Sequence, residues 1–242
     1  MSGSNPVSPQ PPQDPAVISY KSLRRCLGLL GFALPTVLLF ATRVDDRVSK
    51  PMPGSISSFY YTHMGPYLIG TLCALGIFLF CYRYATTDNW LSNVAGVAVT
   101  FVALCPTERD GVSPTLLNNL HLIAAATFFA VVAVFSAFVF TQKPDQVHWW
   151  DPWRQFPRAT PEDKRDWVYR ICAILIILPL VVAAVIRGGS LFWGESVAVF
   201  AFSFSWMVKG EFRWLWRWEV FPDTGALPPS GPARLVPSPH SS

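Results

Sequence analysis

The chain has 242 residues, of which 51% are hydrophobic and 14% are charged, and its formal net charge is +4. An average soluble domain carries about 25% charged residues, so this composition excludes an ordinary soluble globular protein. The positive charge does not require a nucleic-acid partner, because membrane proteins collect Lys and Arg on their cytoplasmic side. We therefore expect the lipid bilayer, and no nucleic acid, as the principal partner of the chain.

Six apolar blocks follow one another along the sequence. The hydrocarbon core of a bilayer needs about 17–25 helical residues to cross it, and all six blocks lie at or near that length. Backbone amides in lipid must pair within their own segment, which favours helices over isolated strands. The pattern predicts an all-α polytopic membrane protein with six transmembrane helices in one bundle. The blocks are residues 26–42, 66–82, 90–105, 117–140, 168–186 and 191–208.

The distribution of charge predicts how these helices are oriented. If the N-terminus is cytoplasmic, fourteen of the nineteen Lys and Arg residues fall inside and five fall outside. The positive-inside rule favours that arrangement. Nine of the ten Trp residues lie at or near the same predicted cytoplasmic boundary, where indole rings prefer the headgroup level, and only Trp193 lies near the outer one. We expect both termini in the cytoplasm and a multi-pass protein of the plasma membrane.

Composition divides the chain into four parts. Residues 1–20 are rich in Pro and predict a disordered cytoplasmic tail, and residues 221–242 predict a second one. Residues 21–211 form the predicted transmembrane domain. Residues 212–220 contain three Trp and two Arg residues, which favours an interfacial segment. The basic cluster before residue 26 is similar to the start of a secretory signal, but the apolar stretch is too long and no A-x-A-like site follows, so we expect a retained helix.

Three polar side chains near the outer helix ends form the candidate site. Glu195 is the only acid in the sixth block, His121 lies near the outer end of the fourth, and His63 precedes the second. Ionisable groups in spanning helices cost a few kcal/mol on insertion scales, so each needs a partner or water. We predict an outward-facing polar pocket around these three, and a contact between His121 and Glu195, direct or through water. Its rim would carry Asp45, Asp46, Glu108 and Asp110.

The chemistry of this trio leaves several functions open. Two imidazoles and a carboxylate can hold Zn²⁺ at an open position, relay protons, or bind a polar ligand. A structural His121–Glu195 pair, with His63 as an ordinary loop residue, is the simpler interpretation. The sequence contains no HExxH, GxSxG, P-loop or H-x-x-x-H motif, and its five cysteines show no CxxC spacing. We expect no metal and no cofactor, and the sequence assigns no catalytic residue.

Several stretches resemble an uncharacterised family of bacterial six-helix integral membrane proteins, a domain of unknown function. The matching stretches are residues 55–62, 70–76, 102–107, the helix from His121, and residues 192–195 and 205–211. The resemblance implies the topology and a bacterial inner membrane, but no activity. It also implies that His121 and Glu195 share the family pattern with further candidate ligand-binding residues. These are Ser55, Ser57, Tyr60, Tyr61 and Thr107.

A looser analogy is with the membrane hydrolases that include alkaline ceramidases and adiponectin-type receptors. Those proteins have seven helices and bind zinc through a Ser, an Asp and three His residues, two of them in H-x-x-x-H. This chain has six predicted helices and lacks that pair, and Asp88 lies on the predicted cytoplasmic side. We favour a protein that binds a small amphiphile or lipid headgroup. A metal-dependent intramembrane hydrolase is the alternative, and a transporter is disfavoured because mid-bilayer charges and internal repeats are lacking.

Overall fold

The described part of the chain is mostly helical and contains no strand. A computed structural model describes residues 19–44, 52–83, 86–107, 115–141, 161–185 and 191–211. For residues 86–87 and 161–164 it describes the backbone alone. Each of the six predicted apolar blocks falls on a helix, so the all-α class is confirmed. The helices are α1 Tyr20–Val44, α2 Gly65–Cys81, α3 Thr86–Leu104, α4 Leu116–Val134, α5 Pro161–Val185 and α6 Leu191–Lys209. A 3-10 helix, Ser57–Tyr61, precedes α2, and a π-helix, Phe135–Val139, continues α4.

Several predictions concern residues that lie outside these described ranges. They include nearly all of the N-terminal tail, the 212–220 segment, the C-terminal tail and the four acids of the predicted rim. Helix α1 begins at Tyr20, at the predicted boundary between the tail and the transmembrane domain.

Four of the helices are long and apolar enough to cross a membrane. They are Tyr20–Val44, Leu116–Val139, Arg165–Val185 and Leu191–Lys209. Helix α2 is apolar but shorter, with 17 residues, and α3 has 19 residues and begins with the polar turn Thr86-Thr87-Asp88-Asn89. The protein is therefore membrane-embedded by the length and composition of its helices.

The helices pack as a ring in chain order. Each helix contacts the next one along the sequence, and α6 closes the ring against α1. Of the four long apolar helices, α6 is the most enclosed, with 61% of its apolar window buried, whereas only 28% of the window in α5 is buried. We call the end at which α2, α4 and α6 begin the outer end, after the orientation that the charges predict, and the opposite end the inner end.

Two glycines of α1 let this helix approach α6 closely. A Cβ atom built on Gly28 would lie 2.4 Å from Cγ of Met207 and 2.9 Å from the backbone oxygen of Ser203. A Cβ atom on Gly31 would lie 2.5 Å from Oγ of Ser203. Small residues at helix interfaces are how membrane bundles reach such separations, because lipid supplies little hydrophobic drive for association. The two glycines thus set the distance between α1 and α6.

Substitution of Gly28 tests this contact. We expect Gly28→Ala to lower the free energy of unfolding by about 1–3 kcal/mol, because the methyl group meets backbone as well as a side chain and forces α1 outward. Gly70→Ala in α2 is the matched control, since nothing lies within 4 Å of its Cβ position. The measurement is an SDS titration in mixed micelles. Equal stability of the two variants would show that α1 and α6 do not depend on this approach.

An aromatic cluster closes the bundle toward the inner end. Trp206 of α6 has no exposed surface, and its ring lies 5.1–5.9 Å from four other aromatic rings. Such edge-on and tilted contacts add to the packing of a core. The four partners of Trp206 are Tyr82, Phe135, Phe140 and Phe202.

Buried charges lie immediately beyond this aromatic cluster. Nε and Nη2 of Arg24 donate to the hydroxyl oxygen of Tyr82, at 3.1 and 2.7 Å. Nζ of Lys209 donates to the carbonyl of Phe140 at 2.9 Å. Asp88 is 7% exposed and interacts electrostatically with both Arg24 and Lys209. It also lies in the first turn of α3, where the helix dipole favours a carboxylate.

Candidate functional site

Residues 52–64, which we call the outer lid, cover the outer end of the bundle. The backbone N–H of Phe192 donates to the carbonyl of Gly54 at 2.8 Å, which joins the lid to the start of α6. Phe59 is fully buried, and its ring lies 5.7 Å from that of Phe192. The hydroxyl of Tyr61 donates to the carbonyl of Thr107 at 2.7 Å. The lid is thus held by α6 on one side and by the end of α3 on the other.

Glu195 binds the backbone of this lid. It is the fifth residue of α6, and its Oε2 accepts the backbone N–H of Ile56 at 2.5 Å. Ile56 immediately precedes the 3-10 helix. Within the described residues, Oε1 of Glu195 receives no hydrogen bond, and Glu195 lines a cavity below the lid. One carboxylate oxygen therefore holds the lid, while the other can accept a hydrogen bond from a ligand.

His121 binds the adjacent lid residue. Nδ1 lies 2.7 Å from the carbonyl oxygen of Cys105, and Nε2 lies 3.0 Å from Oγ of Ser57. A carbonyl can only accept, so Nδ1 carries a proton and donates it. In neutral imidazole Nε2 is then an acceptor, and the Ser57 hydroxyl donates to it. Both nitrogens of this buried histidine are therefore used in joining α3, α4 and the lid.

The structure brings Glu195 and His121 to the same lid but not to each other. They share no direct hydrogen bond, because Glu195 pairs with Ile56 and His121 pairs with Ser57, the next residue, and the predicted contact through water stays a prediction. The backbone amide of Ile56 and the hydroxyl of Ser57 are the partners that we expected each of these side chains to be for the other. The two are linked through a single peptide unit of the lid.

The remaining candidate residues lie on or beside the lid. Ser55 bonds Ser58 within it, with 2.7 Å between the hydroxyl oxygens. Tyr60 is partly buried and packs edge-on against Tyr61. The carbonyl group of Thr107 accepts the hydrogen bond from the hydroxyl of Tyr61.

His63 lies apart from the other two members of the predicted trio. It is exposed in the turn before α2, and it shares no hydrogen bond with His121 or Glu195. Across the ranges that the structure describes, no three His, Cys, Asp or Glu side chains come together as a set that could hold a metal ion.

A cavity extends from the lid toward the middle of the bundle. Its volume is about 40 Å³, and thirteen of the described residues line it. Eleven of them are apolar, and the two polar ones, Ser57 and Glu195, belong to the outer end. The cavity runs along α6 from Glu195 to Phe202, a length of about 10 Å for seven residues at 1.5 Å per residue. At the far end the rings of Phe128 and Phe202 lie 5.8 Å apart.

The apolar lining of this cavity is the part of the site that the sequence did not predict. Val99 and Val102 of α3, Ala125 of α4 and Val199 of α6 are all lining residues. An apolar side chain in a membrane helix can face lipid, a neighbouring helix or a cavity, and the residue type is the same in each case. The only sequence signals were the polar residues at the mouth.

No protein-family model, no curated protein and no solved structure matches this chain. The resemblance to a bacterial six-helix family stays a prediction.

Proposed function

We propose that this chain is a multi-pass protein of the bacterial inner membrane and that it binds a small amphiphile in the cavity beneath the outer lid. One observation carries this proposal: an apolar cavity whose only polar lining groups among the described residues, Ser57 and Glu195, lie at its outer end. Ligand pockets are typically mostly apolar, with a few polar groups that orient the ligand. This cavity has that division of polarity in a volume of about 40 Å³, so a bound alkyl tail has to part the surrounding apolar side chains. This polarity fits a ligand whose head lies under the lid and whose tail points inward.

The geometry favours binding over hydrolysis and over passage through the bundle. Hydrolysis by a metal-bound water would need converging ligands, whereas His63 is exposed and both nitrogens of His121 are engaged. Passage would need a continuous path, and the Trp206 aromatic cluster fills the bundle below Phe202. We therefore retain the amphiphile-binding function as the first candidate.

The proposed topology has six spans with both termini in the cytoplasm. In support, α2 and α3 pack between α1 and α4 in the ring, and both of those neighbours are long enough to cross the membrane. Reporter fusions after Arg83, within residues 141–166 and after Lys209 should report the cytoplasm. Fusions near Lys50, Asp110 and Gly189 should report the outer side. An outer signal from the 141–166 segment would reverse the proposed orientation.

Binding is tested with a matched pair of substitutions in α4. Ala125 lines the cavity and the next residue, Ala126, is exposed on the lipid side. We expect Ala125→Leu to reduce binding of radiolabelled decanol by at least tenfold, because the larger side chain occupies the space that the alkyl tail needs. Ala126→Leu makes the same chemical change and should bind as the wild type does. The measurement is scintillation proximity in neutral detergent micelles, and equal binding by both variants would contradict the proposal.

A further inference from the structure

The polar end of the cavity presents acceptors to a ligand. Oε2 of Glu195 accepts the Ile56 N–H, which leaves Oε1 as the free acceptor of a residue that lines the cavity. The Ser57 hydroxyl gives its proton to Nε2 of a neutral His121, so toward the cavity its oxygen can only accept. Neither polar side chain that lines the cavity thus has a proton to offer when Glu195 is ionised. A ligand head that docks here must bring its own donors.

The Glu195 carboxylate also lacks a basic partner at this site. No Lys or Arg is among the thirteen residues that line the cavity, and the only hydrogen bond that Glu195 receives within the described chain comes from one backbone amide. A carboxylate in a largely apolar setting is costly unless it is paired or well supplied with donors. A cationic head placed against Oε1 would supply both the charge and the hydrogen bonds.

We infer that the cavity selects amphiphiles whose head donates hydrogen bonds, protonated alkyl amines above all, and that it discriminates against fatty acids. This inference rests on the proposed function and specifies the head group that the same site recognises. An ammonium head offers three donors and a positive charge, a hydroxyl head offers one donor, and a carboxylate head offers only acceptors and a repelling charge. Glu195 is accordingly the specificity-determining residue.

The test is a competition series with one alkyl chain and three heads. Decylamine, unlabelled decanol and decanoic acid compete with radiolabelled decanol for the purified full-length protein in neutral detergent micelles. We expect the order amine, alcohol, acid, with decylamine at least tenfold stronger than decanoic acid. Wild type, Glu195→Gln and Glu211→Gln are compared.

The Gln variant separates head-group recognition from folding. Its amide oxygen can still accept the Ile56 N–H, so the lid contact is retained, while its NH₂ group places a donor in the cavity. We expect Glu195→Gln to lose the preference for amine over acid, measured as the ratio of the two competitors within that variant. Glu211 lies at the inner end, where it pairs with Lys21, so Glu211→Gln removes an equal charge and should leave the order unchanged.

Each outcome points to one conclusion. If decanol binds but decylamine is no stronger than decanoic acid, or if Glu195→Gln keeps the wild-type order, the head-group inference is overturned and the proposed function stands. If none of the three compounds binds, and Ala125→Leu is indistinguishable from wild type, the proposed function itself is overturned.

Discussion

Replacing Asp88 by Asn should lower the free energy of unfolding by about 1–3 kcal/mol, because it removes the acid that interacts with the buried Arg24 and the partly buried Lys209. Asp88 is 7% exposed and acts electrostatically on Arg24 and Lys209, which lie on α1 and α6. Asn keeps the size and shape of the side chain, so the lost stability reports the removed charge. The measurement is an SDS titration in mixed micelles, followed by far-UV circular dichroism.

Two further variants show whether the Asp88 effect comes from buried charge. Glu211→Gln makes the same isosteric change in an ion pair with Lys21 whose side chains are 55% and 41% exposed, and surface pairs of this kind contribute about 0–1 kcal/mol. The double variant Asp88→Asn with Lys209→Met should recover part of the loss, because it removes a cation along with the acid. A loss no larger in Asp88→Asn than in Glu211→Gln would mean that the inner charges are not coupled.

The six helices could be predicted from the sequence because lipid imposes a strong rule on the backbone. Amides that meet no water must pair within the helix, so the length of an apolar block is enough to place it. Helix α2 illustrates the agreement, since the predicted block at 66–82 and the observed helix Gly65–Cys81 differ by one residue at each end. Tyr82 lies just beyond the helix. Its hydroxyl accepts a hydrogen bond from Arg24, and its carbonyl accepts one from Ser92.

The partners of the polar residues could not be predicted in the same way. The cost of burying Glu195 and His121 showed that each needed a partner, but it did not show which one. The partners turned out to be a backbone N–H and a hydroxyl on the lid, a segment with no apolar periodicity to reveal its fold. The burial of Arg24 and Asp88 likewise depends on how α1, α3 and α6 meet at the inner end.

The outer lid should depend on Phe59 more than on any of its hydrogen bonds. Phe59 has no exposed surface and packs on Phe192, and removing a buried Phe side chain typically costs about 3–5 kcal/mol. A single hydrogen bond contributes only about 0.5–1.5 kcal/mol. Phe59→Ala should therefore loosen the lid locally while α1 to α6 remain packed, because the lost contacts join the lid to the start of α6.

Hydrogen exchange at the lid amides measures this loosening. The N–H groups of Ile56 and Phe192 are bonded to Glu195 and to the carbonyl of Gly54, so both should exchange much faster in Phe59→Ala. Phe101→Ala is the matched control, because Phe101 lies on α3 and is 47% exposed toward lipid. Bound decanol should also leave Phe59→Ala faster, since the lid covers the polar end of the cavity. Unchanged protection of Ile56 would show that the lid is held by its hydrogen bonds and not by the ring of Phe59.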